Sequence, residues 1–403
     1  MVHIVIVPDG LADNPGTMPK GKTPMSLANV PHVRELTAQS LVGRVKTCSG
    51  AFKPGSDIAN MAILGYSPEK YFQGRAAIEA FAGGVMIPEG KTATRMNFVS
   101  VSEEEDVFEN RRMVKFDAGG VNDREAMELL EALKTSANGF SDLKLYFGSG
   151  FHHLIISNEY STAALPHEII GERLGEHLPT SVHFREFICW SNKILTDHPV
   201  NIFRKENGKL PVNAVWPWSS GKAMLLPNFW ERTGLRACMI TATDVLRGLA
   251  VAAGMDVLPV KGATGTLETN YRGKGDAAIR ALTEDGYDFV YIHIEASDAA
   301  GHNHRPDDKM KVYEEVDRHI IGPLLSSLKD KEFRLLLLPD HFTDSVSGKH
   351  GGDPVPYLLY DSTLLRNNTV DFSEAGTAYE TVSDILELFD FFIRAGVAAP
   401  KIA

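Results

Sequence analysis

Two residues with side chains that bind metal ions stand directly after an apolar segment. Asp298 and His302 offer a carboxylate oxygen and an imidazole nitrogen four residues apart, just beyond the run FVYIHIE at 289–295. Six of the seven residues in that run are β-branched, aromatic or His, in a run too short for an ordinary helix. The pattern predicts a buried strand that delivers both ligands at its carboxyl end.

The same arrangement occurs at two other places in the chain. The apolar run 3–8 leads into Asp9, and the run 333–339 leads into Asp340 and His341. In open α/β sheets, ligands bind beyond the carboxyl ends of the strands. We therefore expect these side chains to gather with Asp298 at one edge of a sheet.

A candidate nucleophile lies at the start of a predicted helix. The segment FKPGSDI at 52–58 contains Ser56 and runs into apolar residues at helical spacing. Free backbone N–H groups and the helix dipole at such a position favour an anion, so a nucleophile or a bound phosphate would be stabilised. The alternative is that Ser56 or Asp57 only caps the helix.

Taken together, these residues are sufficient to hold two divalent ions. Each alone has a simpler reading, because an Asp after a strand often forms a turn and a lone His is often structural. Mixed carboxylate and imidazole ligation favours Mn²⁺ or Zn²⁺, with Mg²⁺ less suited to so much nitrogen. Two metals beside a serine fit phosphoryl transfer. The candidate set is Asp9, Ser56, Asp298, His302, Asp340, His341 and His350.

Composition excludes several classes of function. The 403 residues carry a formal net charge of -11, which argues against a general nucleic-acid surface. An anionic substrate must then meet a local basic pocket. No apolar run is long enough to span a bilayer, and three scattered cysteines suggest reduced thiols, so we expect a cytoplasmic protein. The sequence does not indicate an oligomeric state.

The order of predicted elements indicates an α/β protein with an insertion. Strands and helices alternate in the outer parts of the chain, which is typical of a mostly parallel sheet flanked by helices. Residues 92–179 differ in texture and predict a smaller α/β domain inserted into a larger one formed by 1–91 and 180–403. The segment WPWSSGK at 216–222 is predicted to be a loop.

At this point the sequence resembles the archaeal-type cofactor-independent phosphoglycerate mutases of the alkaline phosphatase superfamily. The resemblance covers nearly the whole chain, and it implies an alkaline-phosphatase-like fold. Its most specific motifs are PGSDIAN at 54–60 and HIEASDAAGH at 293–302. The others are PDG at 8–10, KTP at 22–24, GR at 74–75, RMN at 95–97, PDH at 339–341, and His350 with DPVP at 353–356.

The resemblance implies a two-metal phosphoserine mechanism. One metal would be held by Asp298, His302 and His350, and the second by Asp9, Ser56, Asp340 and His341. Ser56 would carry the phosphoryl group as 3-phosphoglycerate and 2-phosphoglycerate interconvert without a bisphosphoglycerate cofactor. The inserted domain would close over the glycerate and exclude water.

The sequence departs from the family pattern on the substrate side. Phe151, His152 and His153 stand where an aromatic-Arg-His triplet is common, so one phosphate-binding Arg is absent. This departure favours an alternative enzyme, a metal-dependent phosphatase or phosphotransferase acting on another small alcohol or phosphoester, for example with a homoserine-type acceptor. An alternative of another class is a metal-dependent binding protein without turnover.

Four residues are predicted from motif position to bind the substrate. They are Arg75, Arg95, His153 and Lys274. The alternative is that these are surface residues paired with nearby carboxylates.

Overall fold

The computed structural model describes residues 1–136, 139–364, 366–378 and 382–394. Short 3₁₀ turns lie at Pro19–Gly21, Phe108–Asn110 and Leu174–Glu176. A π-helical segment, Asp317–Ile321, joins the helix Pro306–Val316 to the helix Gly322–Ser327. The strands are β1 Val2–Pro8, β2 Leu41–Lys46, β3 Thr92–Val101, β4 Met113–Lys115, β5 Lys144–Ser149, β6 His152–Ser157, β7 Ala214–Lys222, β8 Ala237–Ile240, β9 Asp256–Val257, β10 Phe289–Ile294, β11 Phe333–Leu337, β12 Phe342–Asp344, β13 Lys349–Gly351, β14 Val355–Asp361 and β15 Val382–Asp384. The helices are α1 Pro24–Leu27, α2 Pro31–Ala38, α3 Ser56–Ile63, α4 Pro68–Tyr71, α5 Arg75–Ala82, α6 Asp123–Thr135, α7 Val182–Leu195, α8 Pro199–Glu206, α9 Phe229–Thr233, α10 Asp244–Ala252, α11 Tyr271–Thr283, α12 Ala296–His302, α13 Pro306–Val316, α14 Gly322–Ser327 and α15 Ile385–Ile393.

The chain forms two compact units. The first comprises Met1–Phe72 and the described residues from Leu225 onward, and the second comprises Gln73–Met224. The second unit extends beyond the predicted 92–179 at both ends, because β7 pairs along most of β3 and α5 packs against β7. The sequence prediction therefore differs from the structure in where the insertion begins and ends.

An eight-stranded sheet organises the first unit. Its strand order is β15-β2-β14-β11-β1-β10-β8-β9, and only β14 runs antiparallel to its neighbours. The central strand β1 pairs in parallel with β10 on one side and β11 on the other. The residues that follow these three strands therefore emerge at the same edge of the sheet.

Both faces of this sheet are covered by helices. Ile4 and Ile6 of β1 pack into a core with Val312 of α13, while on the opposite face Phe392 of α15 makes edge-to-face contacts with His3 and Phe289. Every residue of β10 and β11 is buried, which explains why these strands are mostly apolar without a regular alternation. The covering on both faces leaves the strand ends as the accessible part of the sheet.

The second unit is built on an antiparallel sheet. β3 pairs with β4, β6 and β7, and β5 pairs with β6. Helices α6 and α7 contribute Leu129 and Phe184 to a core that also contains Phe98 of β3. This core is separate from that of the first unit.

The prediction of a loop over 216–222 is wrong. These residues belong to β7, which among the described strands pairs only with β3. Such an edge position tolerates Pro217, because the missing N–H is not needed by a second neighbouring strand there. Ser219 has a φ of 52° where the register with β3 shifts, so it occupies a β-bulge. Pro and Gly in this segment mark an irregular edge strand.

Across the described ranges, helices that combine the length and apolar character needed to cross a membrane are absent.

Candidate active site

Ser56 and Asp9 meet beyond the ends of the central strands. Asp9 follows β1 and is almost completely buried, and Ser56 is the first residue of α3. The Ser56 hydroxyl donates to Asp9 Oδ2 at 3.1 Å, and its Oγ lies 3.3 Å from Nε2 of His341. The structure thus brings the candidate nucleophile together with two predicted metal ligands.

Asp340 is held from several sides. Its Oδ1 accepts the backbone N–H groups of Gly10 at 2.8 Å and His341 at 3.0 Å, and its Oδ2 accepts from Asn60 Nδ2 at 2.8 Å. Gly10 has a φ of 58°, and a Cβ there would lie 2.6 Å from an Asp298 carboxylate oxygen, so this position requires glycine. The three donors fix the orientation of the carboxylate.

A second cluster contains Asp298, His302 and His350. The Nε2 atom of His302 lies 3.2 Å from Asp298 Oδ2, and the Nε2 atom of His350 lies 3.3 Å from Asp298 Oδ1. The two Nε2 atoms are 2.9 Å apart. Thr343 donates its hydroxyl to Asp298 Oδ1 at 2.6 Å. Asp298 and His302 share one face of α12, and the β12–β13 hairpin carries Thr343 and His350.

The hydrogen bonds of these imidazoles fit metal ligation. His302 Nδ1 donates to the carbonyl of Gly348 at 2.8 Å, and His350 Nδ1 donates to the carbonyl of Pro54 at 3.1 Å. When each ring is neutral, its Nε2 lone pair therefore faces the Asp298 carboxylate. A ligating His commonly bonds its second nitrogen to a carbonyl in this way, and a divalent cation would satisfy the three acceptors that the neutral rings and the carboxylate then present.

The pKa values of Asp9 and Asp298 shift in opposite directions. Burial, followed by the negative charges of Asp340, Asp298 and Glu295, raises the pKa of Asp9 well above its usual value. Burial opposes ionisation of Asp298 as well, but the hydrogen bonds that His302 and His350 donate through Nε2 when their rings are protonated outweigh it and hold that pKa below its usual range. A bound cation would relieve the repulsion at Asp9.

Two sets of ligand atoms are close enough to share an ion. One combines Asp298, His341 and His350, and the other combines Asp9, Asp340 and His341, with ligand atoms within 4.8 Å of one another in each set. His341 lies between the two sets. The seven predicted metal and nucleophile residues are therefore all found in one place.

The four predicted substrate residues have different surroundings. Arg75 and Arg95 both pair with Glu79, at 3.1 Å and 2.8 Å, and the Arg95 guanidinium stacks 3.9 Å from the centroid of the Trp218 ring. Lys274 is fully buried and donates to the carbonyl of His293 at 2.7 Å, and burial lowers its pKa to about 8.

His153 is also buried, between the rings of Phe98 and Phe147. Burial lowers its pKa to about 3, so the ring is neutral and not a charged donor. Within the described part of the chain, its Nε2 makes no hydrogen bond. A substrate role for these four residues stays a prediction.

Comparison with known proteins identifies the family. The family of 2,3-bisphosphoglycerate-independent phosphoglycerate mutases matches this chain over residues 37–201. The family of type I phosphodiesterases / nucleotide pyrophosphatases matches it over residues 204–378. A 2,3-bisphosphoglycerate-independent phosphoglycerate mutase from Methanothermobacter thermautotrophicus is 35% identical to this chain over 404 aligned residues. The alignment covers 95% of this chain and 98% of the relative. The chain belongs to the 2,3-bisphosphoglycerate-independent phosphoglycerate mutases. Another member, from Methanosarcina barkeri, is 38% identical over 89% of this chain and 90% of its own.

Two solved structures are similar to this chain over nearly its whole length. The cofactor-independent phosphoglycerate mutase from Thermoplasma acidophilum has a TM-score of 0.65 at 26% identity, covering 97% of this chain and 98% of its own. A Pyrococcus horikoshii protein has a TM-score of 0.80 at 26% identity, covering 99% of both chains. The predicted family and the predicted α/β fold with a mostly parallel sheet are confirmed.

The sequence analysis did not identify several residues that surround the candidate site of this mutase. His293 lies 3.0 Å from Asp9 Oδ2 through its Nε2, Thr343 bonds Asp298, and Asn60 bonds Asp340. Thr47 donates to the backbone carbonyl of Asp340. His293 and Asn60 stand inside the two most specific motifs, which was the available signal.

A buried ion pair supports the loop after β1. Lys309 of α13 and Asp13 are both fully buried, and Lys309 Nζ donates to Asp13 Oδ2 at 3.0 Å and to the backbone carbonyls of Ala12 and Thr343. The same Asp13 carboxylate accepts from the backbone N–H and hydroxyl of Ser345. Lys309 thereby joins the loop that follows Asp9 to the hairpin that carries Thr343.

Lys309→Met is expected to lower the free energy of unfolding by about 3–5 kcal/mol, because it leaves the Asp13 carboxylate buried without its cation. Urea denaturation followed by circular dichroism measures the loss. Lys309→Met combined with Asp13→Asn should recover part of it, since the unpaired charge is then removed. A loss below about 1 kcal/mol in Lys309→Met would contradict the role given to this pair.

Proposed function

We propose that this protein interconverts 3-phosphoglycerate and 2-phosphoglycerate through a phosphorylated Ser56, without a bisphosphoglycerate cofactor. The observation that carries the proposal is the position of Ser56 in a member of this family. Its hydroxyl lies at the start of α3, within hydrogen-bond distance of Asp9 and His341. The small phosphorylated substrate is the only partner the proposal requires.

Ser56 acts as the nucleophile in the first half of the reaction. Its Oγ forms a bond to phosphorus while the bond from phosphorus to the substrate oxygen breaks, which leaves glycerate and phospho-Ser56. The proton that the Ser56 hydroxyl gives up is balanced by the proton that the released glycerate oxygen takes up, and the reverse exchange accompanies the second half. Asp9 accepts the hydrogen bond of the hydroxyl, so the O–H points into the cluster and an Oγ lone pair is left for the attack. In the second half, the other glycerate hydroxyl attacks phospho-Ser56 and restores the serine.

Two divalent ions are proposed at the two clusters. Asp298, His302 and His350 would hold one, and Asp9, Ser56, Asp340 and His341 the other. His341 stands in both sets of converging ligand atoms. Mn²⁺ suits the mixture of carboxylates and imidazoles best, ahead of Zn²⁺ and Mg²⁺. Bound ions lower the pKa of a hydroxyl and neutralise phosphoryl oxygens.

An enolase-coupled assay of the purified protein tests the function. With added Mn²⁺ and 3-phosphoglycerate, we expect continuous production of 2-phosphoglycerate that does not depend on added 2,3-bisphosphoglycerate. The replacement of the Arg position by His152 favours a second candidate, transfer to another small alcohol. Phosphate release from other esters, or transfer to homoserine, without turnover of 3-phosphoglycerate would replace the first proposal by the second.

Arg95→Ala is expected to raise the KM for 3-phosphoglycerate by about 10-fold or more, because a charge-assisted hydrogen bond to an anion contributes roughly 1.5–3 kcal/mol. It should also raise the ratio of phosphate release to mutase turnover, since water would compete for phospho-Ser56. Arg124→Ala is the matched control, because within the described residues Arg124 forms only a solvent-exposed pair with Glu128. Unchanged KM and partitioning in Arg95→Ala would remove Arg95 from the site.

A further inference from the structure

The side chain of Asn60 links the nucleophile to a predicted metal ligand. Asn60 lies one turn after Ser56 on α3 and has no exposed surface. One of its amide hydrogens is donated to the backbone carbonyl of Ser56 at 2.8 Å, and the other to Asp340 Oδ2 at 2.8 Å. Both donors of the amide are thus used on the two residues whose separation matters for the transfer.

Tyr291 determines which end of the amide faces this pair. Its hydroxyl donates to Asn60 Oδ1 at 2.5 Å from within β10, where the ring is completely buried. Burial raises the pKa of the Tyr291 hydroxyl well above its usual value, so it stays a donor. The backbone carbonyl and the carboxylate accept hydrogen bonds only, so the amide cannot turn over without losing all three.

Among the described donors to Asp340, Asn60 is the one that also bonds the backbone of Ser56. The backbone N–H groups of Gly10 and His341 hold Oδ1, whereas Asn60 holds Oδ2, the oxygen that lies 3.5 Å from His341 Nε2. A shift of the Asn60 amide would therefore move the start of α3 relative to Asp340. Mutation of a residue that orients a metal ligand by a hydrogen bond typically lowers metal affinity or activity about 10–100-fold.

We propose that Asn60 is a positioning residue for phosphoryl transfer, which couples Ser56 to the Asp340 carboxylate, and that Tyr291 fixes the orientation of its amide. The inference rests on the proposed function, because it assumes that Ser56 carries the phosphoryl group. It predicts that kcat and metal affinity change together while the KM for substrate stays near its original value.

The test uses Asn60→Asp and Tyr291→Phe in the full-length protein. Asn60→Asp keeps the shape of the side chain but removes the donor to Asp340, and it is expected to lower kcat about 10–100-fold with KM within about 2-fold. Tyr291→Phe removes one hydroxyl and should lower kcat several-fold in the same way. The midpoint Mn²⁺ concentration in thermal-shift titrations without substrate should rise in both variants, and it should rise more in Asn60→Asp than in Tyr291→Phe.

Two control variants separate positioning from general stability. Asn201→Asp makes the same change at an equally buried Asn of α8, which bonds the carbonyls of Leu195 and Val212. Tyr313→Phe removes a buried hydroxyl that makes no hydrogen bond within the described residues. Both controls are expected to keep the original kcat and Mn²⁺ midpoint, whatever happens to the melting temperature.

The outcomes distinguish this inference from the proposed function. If the unaltered protein does not turn over 3-phosphoglycerate, the proposed function fails, and the Mn²⁺ midpoints still decide the link from Asn60 to Asp340. If the unaltered protein is active but Asn60→Asp and Tyr291→Phe match the controls in kcat and Mn²⁺ midpoint, the positioning role is overturned. Should Asn60→Asp fail to fold, Tyr291→Phe decides alone.

Discussion

Ser56→Ala is expected to abolish phosphoryl transfer, with a fall in kcat on the order of 10³-fold or more and a nearly unchanged fold. The substitution removes the single oxygen that would carry the phosphoryl group. The folded structure loses the hydrogen bond to Asp9 at 3.1 Å and the 3.3 Å contact with His341, a loss of about 1 kcal/mol. The enolase-coupled assay measures the activity, and urea denaturation measures the stability.

The covalent intermediate gives this prediction a second readout. Mass spectrometry of acid-quenched protein incubated with 3-phosphoglycerate should find a phosphorylated peptide that contains Ser56, and the signal should vanish in Ser56→Ala. Ser326→Ala is a matched control, because that hydroxyl bonds only a carbonyl of its own helix α14. Full activity in Ser56→Ala would eliminate the phosphoserine mechanism.

Removal of divalent metal is expected to inactivate the protein, and His302→Ala is expected to lower kcat by more than about 100-fold at fixed Mn²⁺. The physical reason is that Asp298, His302 and His350 present three acceptor groups within about 3 Å of one another, an arrangement that a cation satisfies. Loss of one imidazole removes a ligand and leaves the others poorly placed. Elemental analysis and the coupled assay check both statements.

His183→Ala provides the matched control for the imidazole. His183 also pairs with a carboxylate, Asp142, at 3.1 Å, but that pair lies on the second unit and belongs to neither set of converging ligands. Its loss should leave metal content and turnover unchanged. Acidification should weaken metal binding in the unaltered protein, because a ligating imidazole must be deprotonated. Full activity in protein shown to lack divalent ions would contradict the proposed metal sites.

The position of the candidate site could be read from the sequence because it depends on local order. A buried parallel strand has a mostly apolar sequence, so β1, β10 and β11 were recognisable, and Asp9, Asp298 and Asp340 follow them within four residues. Parallel strands end at the same edge, so Asp9, Asp298 and Asp340 had to meet once the strands were neighbours. The helix after Ser56 followed from its apolar spacing, and the structure begins α3 at that residue.

Other features depended on contacts between residues far apart in the chain. The extent of the inserted unit follows from the pairing of β7 with β3, and Pro217 and Ser219 had hidden that strand because an irregular edge resembles a loop. The burial of His153 and Lys274 follows from the rings and strands packed around them, which motif position does not reveal.

The sequence by itself determined where the candidate metal ligands and the candidate serine stand, because apolar runs and the residues that end them are local properties. Only the tertiary structure decided how these groups are held. Asn60 stands inside a family motif, but the sequence does not show its partners Asp340 and Tyr291, which lie 280 and 231 residues away along the chain. Orientation by hydrogen bonds is a property of the packed chain, since each donor and its acceptor come from different elements.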